Sequence, residues 1–189
     1  MFFGLCRVLL CNTLIDYEGN PSDLLYSNTA IKLTTNTNLE VSQLSDSYIG
    51  TKILPINFFS PGKILRIRIC GYLSTGAENT TTLRLYLAGG LVLESTSPIA
   101  NNLTDAFFEV RVDIICYTQG INGTIRCAGR TLLHTGTGLS TVAMRNLMNT
   151  SDVTTDTTKI CPVDVTYQWG TALAANKMTI LEATLEKLG

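Results

Sequence analysis

The feature that most constrains this chain is a set of segments in which apolar and polar residues alternate one by one. In residues 63–74, Leu65 and Ile67 alternate with Arg66 and Arg68. Successive side chains of a β-strand point to opposite faces, so a period of two predicts a strand with one buried face. The same alternation predicts strands at residues 81–88, 91–96, 107–118, 121–133 and 163–169.

Turn-forming residues separate these segments at short intervals. Pro61-Gly62 precedes the first strand, Gly89-Gly90 predicts a tight hairpin, and Asn122-Gly123 predicts a turn or bulge. Residues 177–188 contain helix-forming residues, but Met178-Thr179-Ile180 continues a strand-like run, and we expect a final strand. About eight strands at this spacing predict an all-β protein whose antiparallel sheets form a sandwich or barrel.

Residues 1–15 are mostly apolar, and they are followed by the turn-rich residues 16–29. We expect residues 1–29 to form an N-terminal arm and linker and residues 30–189 to form the domain. The start resembles a signal peptide only superficially, since Arg7 interrupts the apolar stretch and no A-x-A site follows. It is either a first strand of the domain or an arm that packs on a neighbouring subunit through Phe2, Phe3, Leu5, Val8, Leu9 and Leu10.

Charge and hydropathy exclude several classes of partner. Charged residues make up 15% of the chain, whereas about 25% is usual for a soluble domain. The net charge of −1 and the absence of a basic run predict no binding to nucleic acid or to an anionic membrane. No apolar run reaches the roughly 18 residues of a membrane-spanning helix. A surface poor in charge favours association, so we expect the domain to work in an assembly.

The sequence offers little for catalysis or for metal binding. His134 is the only histidine, no G-x-S-x-G motif is present, and Glu182 and Glu186 are better explained as a solvated face than as a catalytic pair. We therefore predict no enzyme activity, no metal site and no cofactor. The nearest approach to a metal-ligand cluster has unspecific spacing and consists of Asp152, Asp156 and Asp164.

The six cysteines lack a C-x-x-C pair and are widely spaced. Scattered cysteines in strands usually behave as small buried apolar residues, so we expect mostly free thiols. Cys6 and Cys11 are the best candidates for a crosslink, and the sequence leaves disulfide bonds open.

Tyrosines and arginines lie opposite the apolar positions of the predicted strands. These residue types are enriched at protein interfaces and at sugar-binding surfaces. An ordinary sheet face is the alternative, but the low charge elsewhere favours an interface. The predicted contact residues are Arg66, Arg68, Tyr72, Arg84, Tyr86, Arg111 and Tyr117.

Several segments together resemble a recurrent β-sandwich of bacteriophage virions, over about residues 45–188. They are S-P-G-K-I-L-R-I-R-I-C-G-Y (60–72), T-L-R-L-Y-L-A-G-G (82–90), Y-T-Q-G-I-N-G-T (117–124), V-D-V-T-Y-Q-W-G-T-A (163–172) and M-T-I-L-E-A-T-L-E-K-L (178–188). The resemblance implies an antiparallel jelly-roll β-sandwich, commonly trimeric, of the kind found in capsid decoration (cement) proteins, head fibres and tail proteins. It implies no catalytic residue, and the apolar start is not part of the pattern.

The resemblance predicts a structural virion protein of a tailed phage. The leading hypothesis is a capsid decoration protein on the capsid surface, which forms homotrimers and stabilises the lattice of the major capsid protein or contacts other virion proteins. The alternative is a head- or tail-fibre domain that recognises a host surface glycan through loops such as 74–81 and 134–141. Trp169 shares a face with Val163 and Val165, and its expected burial counts against that alternative. A secreted carbohydrate hydrolase or binding module is a third hypothesis, which lacks a convincing signal peptide and acid pair.

Overall fold

The computed structural model describes residues 24–31, 41–42, 52–77, 79–134 and 142–188. The regular structure in these residues is entirely β, and no segment among them is a helix of the length and apolar character that a membrane span requires. The strands are β1 (Leu24–Ile31), β2 (Val41–Ser42), β3 (Lys52–Leu54), β4 (Ile64–Ser74), β5 (Asn79–Leu87), β6 (Gly90–Ile99), β7 (Ala106–Thr118), β8 (Gly123–His134), β9 (Val142–Met148), β10 (Val153–Thr155), β11 (Cys161–Trp169) and β12 (Lys177–Leu188).

The strands form two antiparallel sheets that face each other in a sandwich. The larger sheet has the order β1-β12-β4-β7-β8, and both β9 and β10 pair with the far side of β8. The smaller sheet has the order β11-β5-β6, and both β2 and β3 pair with the free side of β11. The prediction of an all-β antiparallel sandwich is confirmed.

The order of pairing follows a nested pattern along the chain. β1 pairs with β12, β2 and β3 pair with β11, β4 pairs with β7, and β5 pairs with β6. Successive pairs alternate between the two sheets, which is compatible with the jelly-roll prediction. Strands β8, β9 and β10 extend the larger sheet beyond this nested set.

The core lies between the sheets and consists of the apolar positions of the alternating strands. In β7, buried and half-buried residues alternate over Ala106–Cys116. Leu65 and Ile67 of the larger sheet and Leu85 and Val163 of the smaller sheet are almost fully buried. Each such side chain contributes about 1.5–3 kcal/mol relative to an exposed one. Trp169 is also buried, as its position on this face predicts.

The predicted hairpin after β5 is present, with Ala88 and Gly89 as its two turn residues. Both residues have positive φ angles, 51° and 80°, as a tight hairpin of this kind requires. Residues 177–188 form strand β12, which confirms the prediction for that segment. β12 pairs with β4 along almost its whole length, and this pairing outweighs the helix propensity of its Leu, Glu and Lys residues.

The start of the domain differs from the boundary predicted at residues 29 and 30. β1 begins at Leu24 and pairs with β12, so residues 24–29 belong to the sandwich rather than to a linker. The turn-forming residues Asn20-Pro21-Ser22-Asp23 end immediately before this strand. The backbone pairing with β12 therefore sets the boundary at the end of the turn signal, earlier than composition suggested. Residues 1–23, which include the predicted arm contacts Phe2 to Leu10, lie outside the described residues.

Candidate interaction surfaces

The histidine and the four cysteines of the described residues are distributed over strands β4, β7, β8 and β11. No three His, Cys, Asp or Glu side chains among them are placed to hold a metal ion. His134 lies at the end of β8, where its ring meets the edge of the Phe107 ring at 5.7 Å between centroids. Cys70, Cys116, Cys127 and Cys161 are free and buried, whereas Cys6 and Cys11 lie outside the described residues.

The predicted contact residues are divided between the two outer faces of the sandwich. Arg66, Arg68 and Tyr72 on β4, with Arg111 and Tyr117 on β7, lie on the outer face of the larger sheet. Arg84 and Tyr86 lie on β5, in the smaller sheet. Alternation identifies which side chains point outwards, but it does not say which sheet a strand joins.

Three of the four predicted arginines, Arg66, Arg68 and Arg84, are held by carboxylates of neighbouring strands. Arg66 donates two hydrogen bonds to Asp113, from Nε at 2.8 Å and from Nη2 at 2.9 Å. The hydrogen bond to Asp113 is the main cause that raises the pKa of Arg66. Arg68 donates to Glu109 at 3.1 Å, and its pKa is raised mainly by that bond. These bonds neutralise much of the positive charge that we predicted would contact a partner.

Arg84 on the smaller sheet is arranged in the same way. Its Nε donates to Glu94 on the adjacent strand β6, and its Nη1 donates to Gln168 on β11 at 2.8 Å. Three neighbouring strands of the smaller sheet are therefore connected through one guanidinium. This arrangement stabilises the sheet itself and reduces what Arg84 can offer to another molecule.

The two exposed tyrosines lie at opposite ends of the larger sheet. Tyr72 is 41% exposed and meets the edge of the Phe107 ring at 6.2 Å between centroids. Tyr117 is 46% exposed, and the guanidinium of Arg126 lies over its ring at 5.3 Å. Tyr86 is half-buried. The tyrosines therefore do not form one aromatic patch, although Tyr72 does belong to a larger apolar group.

That group is an apolar strip on the outer face of the larger sheet, which the sequence analysis did not identify. It begins with Tyr72 and Phe107, which are opposite each other on β4 and β7, and continues across β8 to β9. Met144 on β9 is 61% exposed and lies opposite Leu132 of β8. The apolar strip comprises Tyr72, Phe107, Leu132, Val142, Met144 and Met148. His134 lies between Phe107 and Val142, and the exposed Asn146 lies between Met144 and Met148.

A sequence signal for the apolar strip exists but is weak. In V-A-M-R-N-L-M (142–148), Val142, Met144 and Met148 are separated by even numbers of residues, which places them on one face of a strand. Methionine and asparagine have little preference for strands, and the segment contains one β-branched residue. Its pairing with β8 over seven residue pairs is therefore a tertiary effect.

Strand β9 also lies at an edge of the larger sheet. Within the described residues it pairs only with β8, so its other side presents backbone N–H and C=O groups without a strand partner. Natural edge strands are usually protected by charges, proline or bulges. Here the strand carries one charged residue, Arg145, and no proline. The apolar strip and the edge of β9 form a continuous candidate surface for protein–protein contact.

Comparisons with known proteins leave the family open. No protein-family model matches the chain, and no curated protein matches it. Among solved structures, the chain is similar to the CBM2 module of the evolved Dit of Lactobacillus casei BL23 phage J-1, with a TM-score of 0.36 and 12% identity. That alignment covers 88% of this chain and 79% of the other. The likeness is too low to support an argument about function, which therefore depends on the surfaces described above.

Proposed function

We propose that this chain is a structural protein of a bacteriophage virion, which works by binding copies of itself and neighbouring virion proteins. The observation that carries the proposal is the apolar strip beside the free edge of β9. Apolar side chains grouped on one exposed face are stabilised when a second protein surface covers them. The low proportion of charged residues, 15%, supports the same function because charge repulsion between copies is small.

The more specific proposal is a capsid decoration protein of a tailed phage, which forms homotrimers on the capsid surface and stabilises the major capsid protein lattice. The resemblance of residues 60–72 and 82–90 to virion β-sandwich proteins supports this assignment. Such a protein needs interface area rather than chemistry, and specific interfaces bury about 1,200–2,000 Å². The six residues of the apolar strip cover part of that area. We propose that backbone pairing along β9 and contacts of the N-terminal residues supply the rest.

Sedimentation velocity of the full chain and of one charged variant tests the self-association. Met144→Lys places a charge in the centre of the apolar strip, and we expect it to convert the oligomer to monomers. Ile121→Lys is the matched control, because Ile121 is 71% exposed and lies in the turn between β7 and β8, outside the strip. A monomeric wild-type chain at high concentration, or equal behaviour of the two variants, would contradict the proposal.

The contact made by the N-terminal residues requires a separate test. In the full chain, Phe2→Ser with Phe3→Ser removes two large apolar side chains. We expect this variant to keep the melting temperature of the wild type and to lose attachment to capsids of the virus that encodes the chain. Electron microscopy of those particles, with and without added protein, would reveal the attachment. Retained attachment would contradict a role for the arm.

The alternative function, recognition of a host surface glycan, has less support from the aromatic side chains. Trp169 is buried in the core, and Arg126 covers one face of the Tyr117 ring. A sugar ring usually stacks on an open aromatic face. Saturable binding to a host polysaccharide that is lost in Tyr117→Ala would nevertheless favour a fibre-type domain over a decoration protein.

A further inference from the structure

A row of three arginines crosses the outer face of the larger sheet and runs into the apolar strip. Arg68 on β4 lies opposite Arg111 on β7, and Arg111 lies opposite Arg130 on β8. Beyond Arg130 the row ends at Asn146 of β9. Like charges directly opposite each other on adjacent strands destabilise a sheet. The row therefore favours a bound carboxylate that lies between its charges.

The two arginines nearest the apolar strip have no carboxylate of their own among the described residues. Asp113 accepts two hydrogen bonds from Arg66, and Arg111 approaches the same carboxylate only at 3.9 Å. Arg130 is exposed and makes no ion pair or hydrogen bond within the part of the chain that the structure describes. Positive charge is therefore in excess at Arg111 and Arg130.

Apolar side chains flank this charge on both sides. Leu132 of β8 and Met144 of β9 lie opposite each other in the row on one side of Arg130. Ala128 of β8 and Met148 of β9 lie opposite each other in the row on the other side. A segment that fits this face therefore carries carboxylates next to apolar side chains.

The chain contains a segment of this composition shortly before β1. Residues 9–15 are mostly apolar, and Leu14 and Ile15 directly precede Asp16. Glu18 follows two residues later, and residues 9–18 contain no lysine or arginine. The charge of this segment is thus opposite to that of the arginine row, and its apolar residues match the apolar strip.

The segment of the same copy is poorly placed to make this contact. β8 is four strand spacings from β1 in the larger sheet, which is about 19 Å at about 4.8 Å per spacing. Glu18 lies six residues before Leu24, and six residues span at most about 22 Å when fully extended. Residues 19–22 are Gly-Asn-Pro-Ser, which favour a turn over a fully extended path.

A neighbouring copy places the same segment much closer. β1 is at one edge of the larger sheet and β9 is at the other. In a head-to-tail pair, the β1 edge of one copy faces the β9 edge of the next. Residues 9–18 of the first copy then need to pass only β9 to reach Arg130 on β8 of the second.

We propose that residues 9–18 of one copy bind across β8 and β9 of the next copy. Asp16 and Glu18 pair with Arg111 and Arg130, and the apolar residues before them cover the apolar strip. The inference rests on the proposed function, because it identifies a second copy of this chain as the partner of the strip and names the segment that makes the contact.

Two charge-reversal variants of the full chain test this contact by sedimentation velocity. Arg130→Glu changes the face, and Asp16→Lys with Glu18→Lys changes the segment. Each variant alone should associate about tenfold more weakly than the wild type. An equimolar mixture should associate about fivefold more tightly than either variant alone. In the mixture, the unchanged segment of one variant meets the unchanged face of the other.

Lys159→Glu is the matched control for the change of charge. The Lys159 side chain is 77% exposed in the loop between β10 and β11, and this variant should associate like the wild type. Circular dichroism verifies that each variant keeps its fold, which the exposure of Arg130 favours.

The possible failures of this inference and of the proposed function are distinguishable. A monomeric wild type would overturn both of them. An oligomeric wild type whose association is unchanged in both charge-reversal variants would overturn the inference alone. Weaker association without recovery in the mixture would overturn it in favour of a segment bound to its own copy. An effect of Arg130→Glu without an effect of the segment variant would overturn it in favour of an acidic partner elsewhere.

Discussion

Two regions of the outer face of the larger sheet differ in whether their outward side chains bond to one another. Where β4 and β7 run side by side, Arg66 and Arg68 bond to Asp113 and Glu109, and the outward-facing groups satisfy one another. Across β8 and β9, the apolar strip has no such internal partner among the described residues. Both regions follow from the same alternation of residues. An outward-facing side chain can therefore be satisfied by a partner on the neighbouring strand or left exposed, and the identity of its cross-strand neighbours decides which of the two occurs.

The largest loss of stability is expected for a substitution where the two regions join, at the pairing of β7 with β8. A Cβ atom at Gly129 would collide with the backbone carbonyl of Arg111 and would lie 2.7 Å from the Cα of Val112. Gly129→Ala should therefore force β8 away from β7 and lower the free energy of unfolding by about 2–4 kcal/mol. Urea denaturation measures this change.

The adjacent Ala128 is the control for that substitution, because it is exposed. Ala128→Ser should change the free energy of unfolding by less than about 0.5 kcal/mol. Equal stability of the two variants would mean that the two regions are not held together at this close approach.

A smaller effect is expected on the pH dependence of stability, and it depends on how well β8, which carries part of the apolar strip, excludes water from the core. Burial raises the pKa of Cys127 on β8 to about 12, from an ordinary value of 9.0. Because the folded pKa is raised, this thiol favours folding fully below pH 9, and the contribution is lost as the pH rises towards 12. When the pH is raised from 8.5 to 10.5, the free energy of unfolding of Cys127→Ala should fall by about 1–2 kcal/mol less than that of the wild type.

Denaturation curves at both pH values provide the measurement, and only the difference between them counts. The cost of the smaller side chain is the same at each pH and cancels. Cys161 and Tyr167, whose pKa values burial also raises, keep a residual alkaline loss in the variant. An identical alkaline loss in both proteins would show that water reaches Cys127 in the folded state.

The smallest expected effect concerns the ion pairs. Asp113→Ala removes the carboxylate that binds Arg66, in a pair whose side chains are 25% and 23% exposed. The expected loss is about 1 kcal/mol, because the bond is bidentate but partly open to solvent. Asp152→Ala breaks the pair with Arg126, in which both side chains are 41% exposed, and should cost less than about 0.5 kcal/mol. Thermal denaturation at low salt would rank the two losses, and the reverse order would contradict this account of the paired region.

The sequence predicts much of this fold because burial and alternation are local properties. The strands β4, β5, β7 and β11 and their buried faces follow directly from the order of apolar and polar residues. Strand β1 was missed because its partner, β12, lies more than 140 residues away in the chain. Strand β9 was missed because Met144, Asn146 and Met148 show little strand preference until β8 pairs with them.

The candidate surfaces were less predictable than the strands. Arg84 and Arg66 have equivalent sequence patterns, yet they lie on different sheets because the chain crosses the sandwich between β4 and β5. Pairing between distant strands therefore determines which outward side chains become neighbours, and a single sequence does not specify that pairing.

β1 and β9 lie at opposite edges of the larger sheet. They are the two outermost strands in the order β1-β12-β4-β7-β8-β9, five spacings apart. At about 4.8 Å per spacing, they are separated by about 24 Å. Leu24, the first residue of β1, therefore lies on the side of the sandwich remote from β9. Under the proposed function, the two contact regions would lie on opposite sides of one domain, and such a layout joins neighbours into a ring or a continuous layer.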